Sequence, residues 1–136
     1  MQRPLRILLA EDNVVNQKVV VAQLTRLGYL PDVVANGLEV LTAVHRQTYD
    51  VILMDVQMPE MDGLEASRRI VQEFEGGKRP RLIALTANVF KSDRDACLAA
   101  GMDSFLAKPL DIAQLREALL DCHRVAQPGD RVKTTI

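Results

Sequence analysis

An excess of charge of either sign is missing from this chain. Its 17 Lys and Arg stand against 18 Asp and Glu, a formal net charge of −1. That balance excludes the basic footprint by which proteins hold nucleic acids and other polyanions. Long hydrophobic runs are missing too: no stretch approaches the length of a membrane span, and the first residues carry no secretory apolar segment. The expectation is a cytoplasmic domain that makes no membrane contact. Cysteine is scarce, and Cys97 and Cys122 form no CxxC or Cys/His metal pattern; both read as buried, reduced thiols on helices. His45 and His123 fall on separate predicted helices without a partner at metal-ligand spacing and read as surface residues. Gly76-Gly77-Lys78 lacks both the following Ser or Thr and the preceding glycine spacing of a phosphate-cradling loop.

What is present is an alternation. With 136 residues, 48% of them hydrophobic, the chain fills one core. Short apolar runs alternate with longer segments of helical period, the pattern of an α/β domain with a parallel sheet. The strands are expected at 6–10, 29–34, 51–54, 82–85 and 105–107. Asn13 is the expected N-cap of a first helix running to about Leu27, with Gly28 as its stop. Asn36-Gly37 and Asp62-Gly63 could each mark a hairpin, but the apolar residues that follow keep a helical period, so Asn36 starts a second helix and Asp62 a third. A fourth is expected over 92–100, stopped by Gly101, and a fifth behind Asp111. Residues 127–136 are polar and aperiodic and read as a mobile tail or the start of a linker.

Chemistry gathers at the strand ends. The first strand runs into Glu11-Asp12 and the third into Asp55, while the fourth ends at Thr86 and the fifth at Lys108-Pro109. In an open parallel sheet, ligands collect at the carboxyl ends of the strands, so these five residues should converge. Three acids buried together would raise one another's pKa. A hard divalent cation, Mg²⁺ above all, removes that conflict with a few carboxylate oxygens and a backbone carbonyl. Lys108 would then hold a carboxylate or phosphoryl oxygen as a point charge. Met54, Met58 and Met61 read as packing residues, and Asp32 and Asp50 as strand-edge or turn residues.

Four segments together resemble a response-regulator receiver domain of two-component signalling: Ile-Leu-Leu-Ala-Glu-Asp-Asn at 7–13, Asp-Val-Ile-Leu-Met-Asp-Val-Gln-Met-Pro-Glu-Met-Asp-Gly at 50–63, Leu-Thr-Ala-Asn at 85–88 and Phe-Leu-Ala-Lys-Pro at 105–109. The resemblance covers residues 5 to about 125, so 1–125 are expected to form the receiver and 126–136 the tail. It implies a flavodoxin-like, doubly wound five-stranded parallel sheet in the order 2-1-3-4-5, flanked by five helices. It implies that Asp55 accepts a phosphoryl group from a histidine, with Mg²⁺ (or Mn²⁺) on Glu11, Asp12, Asp55 and the backbone carbonyl of Gln57. Thr86 and Lys108 would bind phosphoryl oxygens, and Phe105 would be the aromatic switch. Gln57 and Asn88 would tune hydrolysis; both are neutral amides that offer no general base. The Lys108–Pro109 bond is cis in the family.

Two enzyme-like alternatives fit less well. A small aspartyl-phosphate phosphatase would place its nucleophile on the first strand with a second acid two residues on, whereas Asp12 is followed by Asn13 and Val14. A flavin module would need a hydroxyl- and glycine-rich loop where Glu11-Asp12 stands. Asn13, Asn16 and Gln17 look like receivers attached to hybrid histidine kinases; a stand-alone single-domain regulator and a docking-only receiver are the alternatives. The partners implied are a histidine kinase or histidine phosphotransfer domain, with the receiver a monomer or a phosphorylation-dependent dimer.

Overall fold

The computed structural model describes residues 4–74, 79–87 and 91–126. Strands and helices alternate through them: β1 (Ile7–Ala10), α1 (Val14–Arg26), β2 (Asp32–Val34), α2 (Gly37–Arg46), β3 (Val51–Asp55), α3 (Gly63–Glu73), β4 (Arg81–Thr86), α4 (Lys91–Ala99), β5 (Ser104–Ala107) and α5 (Ile112–Ala126). The strands form one sheet in the order β2-β1-β3-β4-β5, and every neighbouring pair is parallel.

The period-two alternation of side chains sorts the strand residues onto two faces. Leu8, Ala10, Ile52, Met54, Leu82 and Ala84 pack with Val40, Val44, Ala66, Ile70 and Cys97 of α2, α3 and α4. Ile7, Leu9, Val51, Leu53, Ile83 and Leu85 pack with Val20, Leu24, Leu115, Leu119 and Cys122 of α1 and α5. Leu53 and its neighbours Ile52 and Met54 are fully buried, each large side chain contributing about 1.5–3 kcal/mol of burial. Both thiols are free and buried, as expected.

The helix starts are capped by the expected residues. Asn13, Asn36 and Asp62 accept from the N–H of Asn16, Glu39 and Glu65, each at 2.9 Å. α1 ends in a Schellman turn, with the Tyr29 N–H donating to the Leu24 carbonyl at 2.9 Å and the Gly28 N–H to Thr25 at 3.0 Å; Gly28 supplies the left-handed φ of 94° that this turn requires. The second strand is shorter than expected. Only Asp32–Val34 pair with β1, because Pro31 interrupts the segment and Leu30 is turned out at 86% exposure. The fourth helix begins one residue earlier than expected and ends one earlier. Residues 75–78 and 127–136, which include Gly76-Gly77-Lys78 and the expected tail, lie outside the described residues. Among the described residues no helix is long and apolar enough to cross a membrane.

Candidate active site at the carboxyl edge of the sheet

Parallel pairing brings the ends of β1, β3, β4 and β5 to one edge, and the residues just past those ends form the site. Backbone bonds hold them there. The Glu11 N–H donates to the Val34 carbonyl at 3.0 Å, and the Lys108 N–H donates to the Thr86 carbonyl at 2.8 Å. Asp55 and Thr86 are the last residues of their strands. The edge opens into a cleft of about 640 Å³ lined in part by Glu11, Asp12, Asp55, Gln57, Thr86 and Lys108. The sequence-expected residues therefore meet, with two exceptions. Asn88 lies outside the described residues, and Phe105 sits back from the cleft, half-buried on β5 against Arg94 of α4.

Lys108 binds two of the acids at once. Its Nζ donates to Glu11 Oε1 at 2.7 Å and to Asp55 Oδ2 at 2.8 Å. Glu11 is fully buried, and the Asn13 N–H donates to its other oxygen at 3.1 Å. The Gln57 N–H donates to Asp55 Oδ1 at 3.2 Å. Asp12 is exposed at the mouth. One carboxylate oxygen from each of Glu11, Asp12 and Asp55 lies within 4.8 Å of the others.

Burial is the largest influence on all three paired groups, yet the balance differs. It pushes Glu11 up, but the hydrogen bonds from Lys108 and the Asn13 N–H, with the ammonium's charge, outweigh it and hold the carboxyl below its ordinary range. For Asp55 burial prevails over the bond from Lys108, Glu11's charge adds to it, and the carboxyl is raised. For Lys108 burial pushes down, but the bonds to Asp55 and Glu11 overcome it, so the ammonium stays protonated. One ammonium thus leaves the cluster short of positive charge. Carboxylate oxygens this close, with a main-chain carbonyl of Gln57 nearby in sequence, are the hard donor set that Mg²⁺ or Mn²⁺ takes, so the residues present fit a divalent cation.

Gly63 explains how Asp55 and α3 come so close. A Cβ there would stand 2.3 Å from the Asp55 carbonyl oxygen and 3.1 Å from Met54 Cγ. The sequence reading took Asp62-Gly63 as a helix start and missed this contact; the glycine beside the cap was the only available signal. The Lys108–Pro109 peptide is cis.

The surface reading holds for His45 and not for His123. His45 is exposed but pairs with Glu73 at 2.7 Å, and His123 is half-buried, its Nε2 3.0 Å from the Tyr29 hydroxyl. Neither stands near a metal-ligand cluster among the described residues. Asp32 and Asp50 hold structure: Asp32 accepts from the Tyr49 hydroxyl at 2.7 Å, and Asp50 from the Arg6 N–H at 2.8 Å.

Residues 7–120 match the response regulator receiver domain family. The chain belongs to that family. Histidine kinases are among its curated relatives. This receiver is 39% identical over 84% of its length to "Probable histidine kinase 1" of Oryza sativa subsp. indica, and 47% identical over 79% to "Hybrid signal transduction histidine kinase H" of Dictyostelium discoideum. It spans 15% and 8% of those two proteins. Among solved structures it is 45% identical to the receiver domain of a sensor histidine kinase from Pseudomonas aeruginosa, with a TM-score of 0.80 and coverage of 89% of this chain and 98% of that one. That structure holds a magnesium ion in its active site cleft. The fold is the expected flavodoxin-like one, and the receiver is of the type carried by hybrid histidine kinases.

Proposed function

We propose that this receiver is the phosphoacceptor of a two-component phosphorelay and that Asp55 takes the phosphoryl group. The observation that carries the reading is the Lys108 ammonium bridging Glu11 and Asp55, with the Asp12 carboxylate beside them. An Asp55 oxygen attacks phosphorus in line. The new O–P bond forms as the P–N bond to a donor imidazole breaks, and the electron pair leaves with the imidazole nitrogen. Lys108 balances charge on the phosphoryl oxygens, and the Thr86 hydroxyl, at the end of β4, supplies a hydrogen bond to one of them. Glu11, Asp12, Asp55 and the Gln57 carbonyl would hold Mg²⁺, which supplies charge neutralisation at the reacting oxygens.

The donor is a histidine kinase or a histidine phosphotransfer domain, and the setting is a hybrid sensor kinase. Val14 and Val15, exposed at 60% and 68% on α1, give a docking protein an apolar landing beside the cleft. The domain works as a switch that promotes only its own phosphorylation and dephosphorylation. It works in the cytoplasm, without nucleic acid or membrane contact, as a monomer or a dimer formed on phosphorylation. Phosphoryl charge draws Thr86 toward it, Phe105 turns inward, and the surface of α4, β5 and α5 changes shape. Gln57 and Asn88, neutral amides, give the acyl phosphate a moderate to slow self-hydrolysis.

Intact-protein mass after incubation with acetyl phosphate and Mg²⁺ tests the acceptor. One phosphoryl adduct that requires Mg²⁺ and is lost in Asp55→Asn is expected. An adduct retained in that variant would place the acceptor elsewhere. A receiver that stays unmodified by both acetyl phosphate and a histidine-phosphorylated donor would be a docking surface only.

A further inference from the structure

Gln17 has no part in the chemistry above, yet its side chain reaches the acid turn. It lies in the first turns of α1 and is half-buried, and its Nε2 donates to the Glu11 carbonyl oxygen at 2.6 Å. Its backbone is fixed as well, the N–H donating to the Asn13 carbonyl at 2.9 Å. The Glu11 carbonyl belongs to the peptide that joins Glu11 to Asp12. That peptide is planar, so the direction of its carbonyl sets the direction in which the chain leaves toward the Asp12 Cα. The Glu11 side is already fixed, by its N–H on the Val34 carbonyl at 3.0 Å and its carboxylate on the Asn13 N–H at 3.1 Å. Asp12 is exposed. The Gln17 bond adds a restraint on the 11–12 peptide plane itself.

We propose that Gln17 is a positioning residue for the divalent-cation site: its amide clamps the Glu11–Asp12 peptide so that the Asp12 carboxylate faces Asp55. The inference rests on the cation-binding reading given above. Partners that orient ligands without touching the metal change its affinity by about 10–100-fold. A comparison exists on the same helix, because Gln23 makes a similar side-chain bond from its Nε2 to the Leu110 carbonyl at 2.9 Å, away from the Glu11–Asp12 peptide.

The test is Mg²⁺ titration by calorimetry on the wild type, Gln17→Met and Gln23→Met. Methionine keeps the length of glutamine and removes the donor. A Kd about tenfold weaker in Gln17→Met, with Gln23→Met at the wild-type value, is expected; both variants lose some metal-free melting temperature. In metal-free protein the Asp12 amide resonance should move in Gln17→Met and stay in place in Gln23→Met. Gln17→Ala provides a second truncation should the methionine variant fold poorly. Unchanged affinity in Gln17→Met, or equal weakening in the two variants, would overturn the clamp while leaving the cation site standing. A wild type that binds no Mg²⁺ would overturn the cation site itself and the clamp with it.

Discussion

The guanidinium carbon of Arg94 lies 4.6 Å from the centroid of the Phe105 ring, tying α4 to the aromatic residue on β5. A cation over a ring face at an exposed site contributes about 0.5–1 kcal/mol. In the proposed Phe105 switch, with two ring positions, this contact favours the position in which Arg94 touches the ring. Arg94→Ala is expected to raise the population of the inward ring about 2–5-fold, the equivalent of that energy. Fluorine NMR of a fluorophenylalanine-labelled receiver reads the two ring positions directly. Phe105→Ala is expected to leave phosphorylation intact and abolish the partner response; an unchanged response would remove the ring from the switch.

Lys108 is bonded to two carboxylates in the cleft, and Glu11 beside it is fully buried. Removing one partner of a buried pair leaves an uncompensated charge and costs about 3–5 kcal/mol. Lys108→Met is expected to lose stability of that order in metal-free urea denaturation and to recover part of it when Mg²⁺ is added. Its phosphorylation by a histidine-phosphorylated donor should fall steeply.

Asp55 gives the opposite sign. Burial raises its pKa, with Glu11's charge adding and Lys108 opposing. A carboxyl with a raised folded pKa loses stability as pH rises from its unfolded value through the folded one. The ionised acid is therefore a cost at neutral pH. Asp55→Asn is expected to raise the metal-free melting point, in line with the roughly 0.5–2 kcal/mol gained when a functional strain is relieved. It should also lose most of the stabilisation that Mg²⁺ gives the wild type.

Much of this arrangement could be read from the chain because its causes are local. An apolar run buried on both faces looks the same wherever its neighbours lie, so β1, β3 and β4 were visible, and with them the acids and the threonine at their ends. Asn13, Asn36 and Asp62 cap within three residues of themselves. β2 was overextended because an edge strand needs few apolar residues, and Tyr29, which looks like a strand residue, closes the α1 turn and meets His123 across 94 residues of sequence. Arg94 on Phe105 and Arg79 on Asp103 are also pairs that no periodicity announces. The Gln17 bond is short in sequence, but it joins a side chain to a carbonyl, which leaves no mark on composition.

Gly63 is where packing and chemistry meet. Because an added Cβ would stand 2.3 Å from the Asp55 carbonyl oxygen, Gly63→Ala must push β3 or the α3 start aside. Overpacking of this kind costs about 1–3 kcal/mol. The expected signature is a lower melting point together with slower phosphorylation. Gly28→Ala is the comparison. Nothing lies within 4 Å of its added Cβ, though its φ is 94°. Strain of about 1–2 kcal/mol should lower its melting point and leave phosphorylation at the wild-type rate.

Asp103 contributes to the acid limit of the fold. It precedes β5 and accepts from Arg79 Nη1 and Nη2, each at 2.9 Å, and from the Leu82 N–H at 2.8 Å. It thereby joins the start of β4 to the start of β5. Burial, the largest influence, pushes its carboxyl up, but the bonds from Arg79 and Leu82 and the charges of Arg79 and Arg81 outweigh it, so its pKa is lowered. A depressed folded pKa means that the unfolded chain binds the proton first. The stability due to Asp103 is therefore fully present above the ordinary aspartate value of about 3.9 and is lost as pH falls through the folded value. Asp103→Asn is expected to lower stability at pH 7 by about 1–3 kcal/mol and to flatten the fall in stability below pH 4. Urea midpoints from pH 7 down to pH 3 for both proteins measure this. Parallel curves would show that the acid limit is set by other carboxyls.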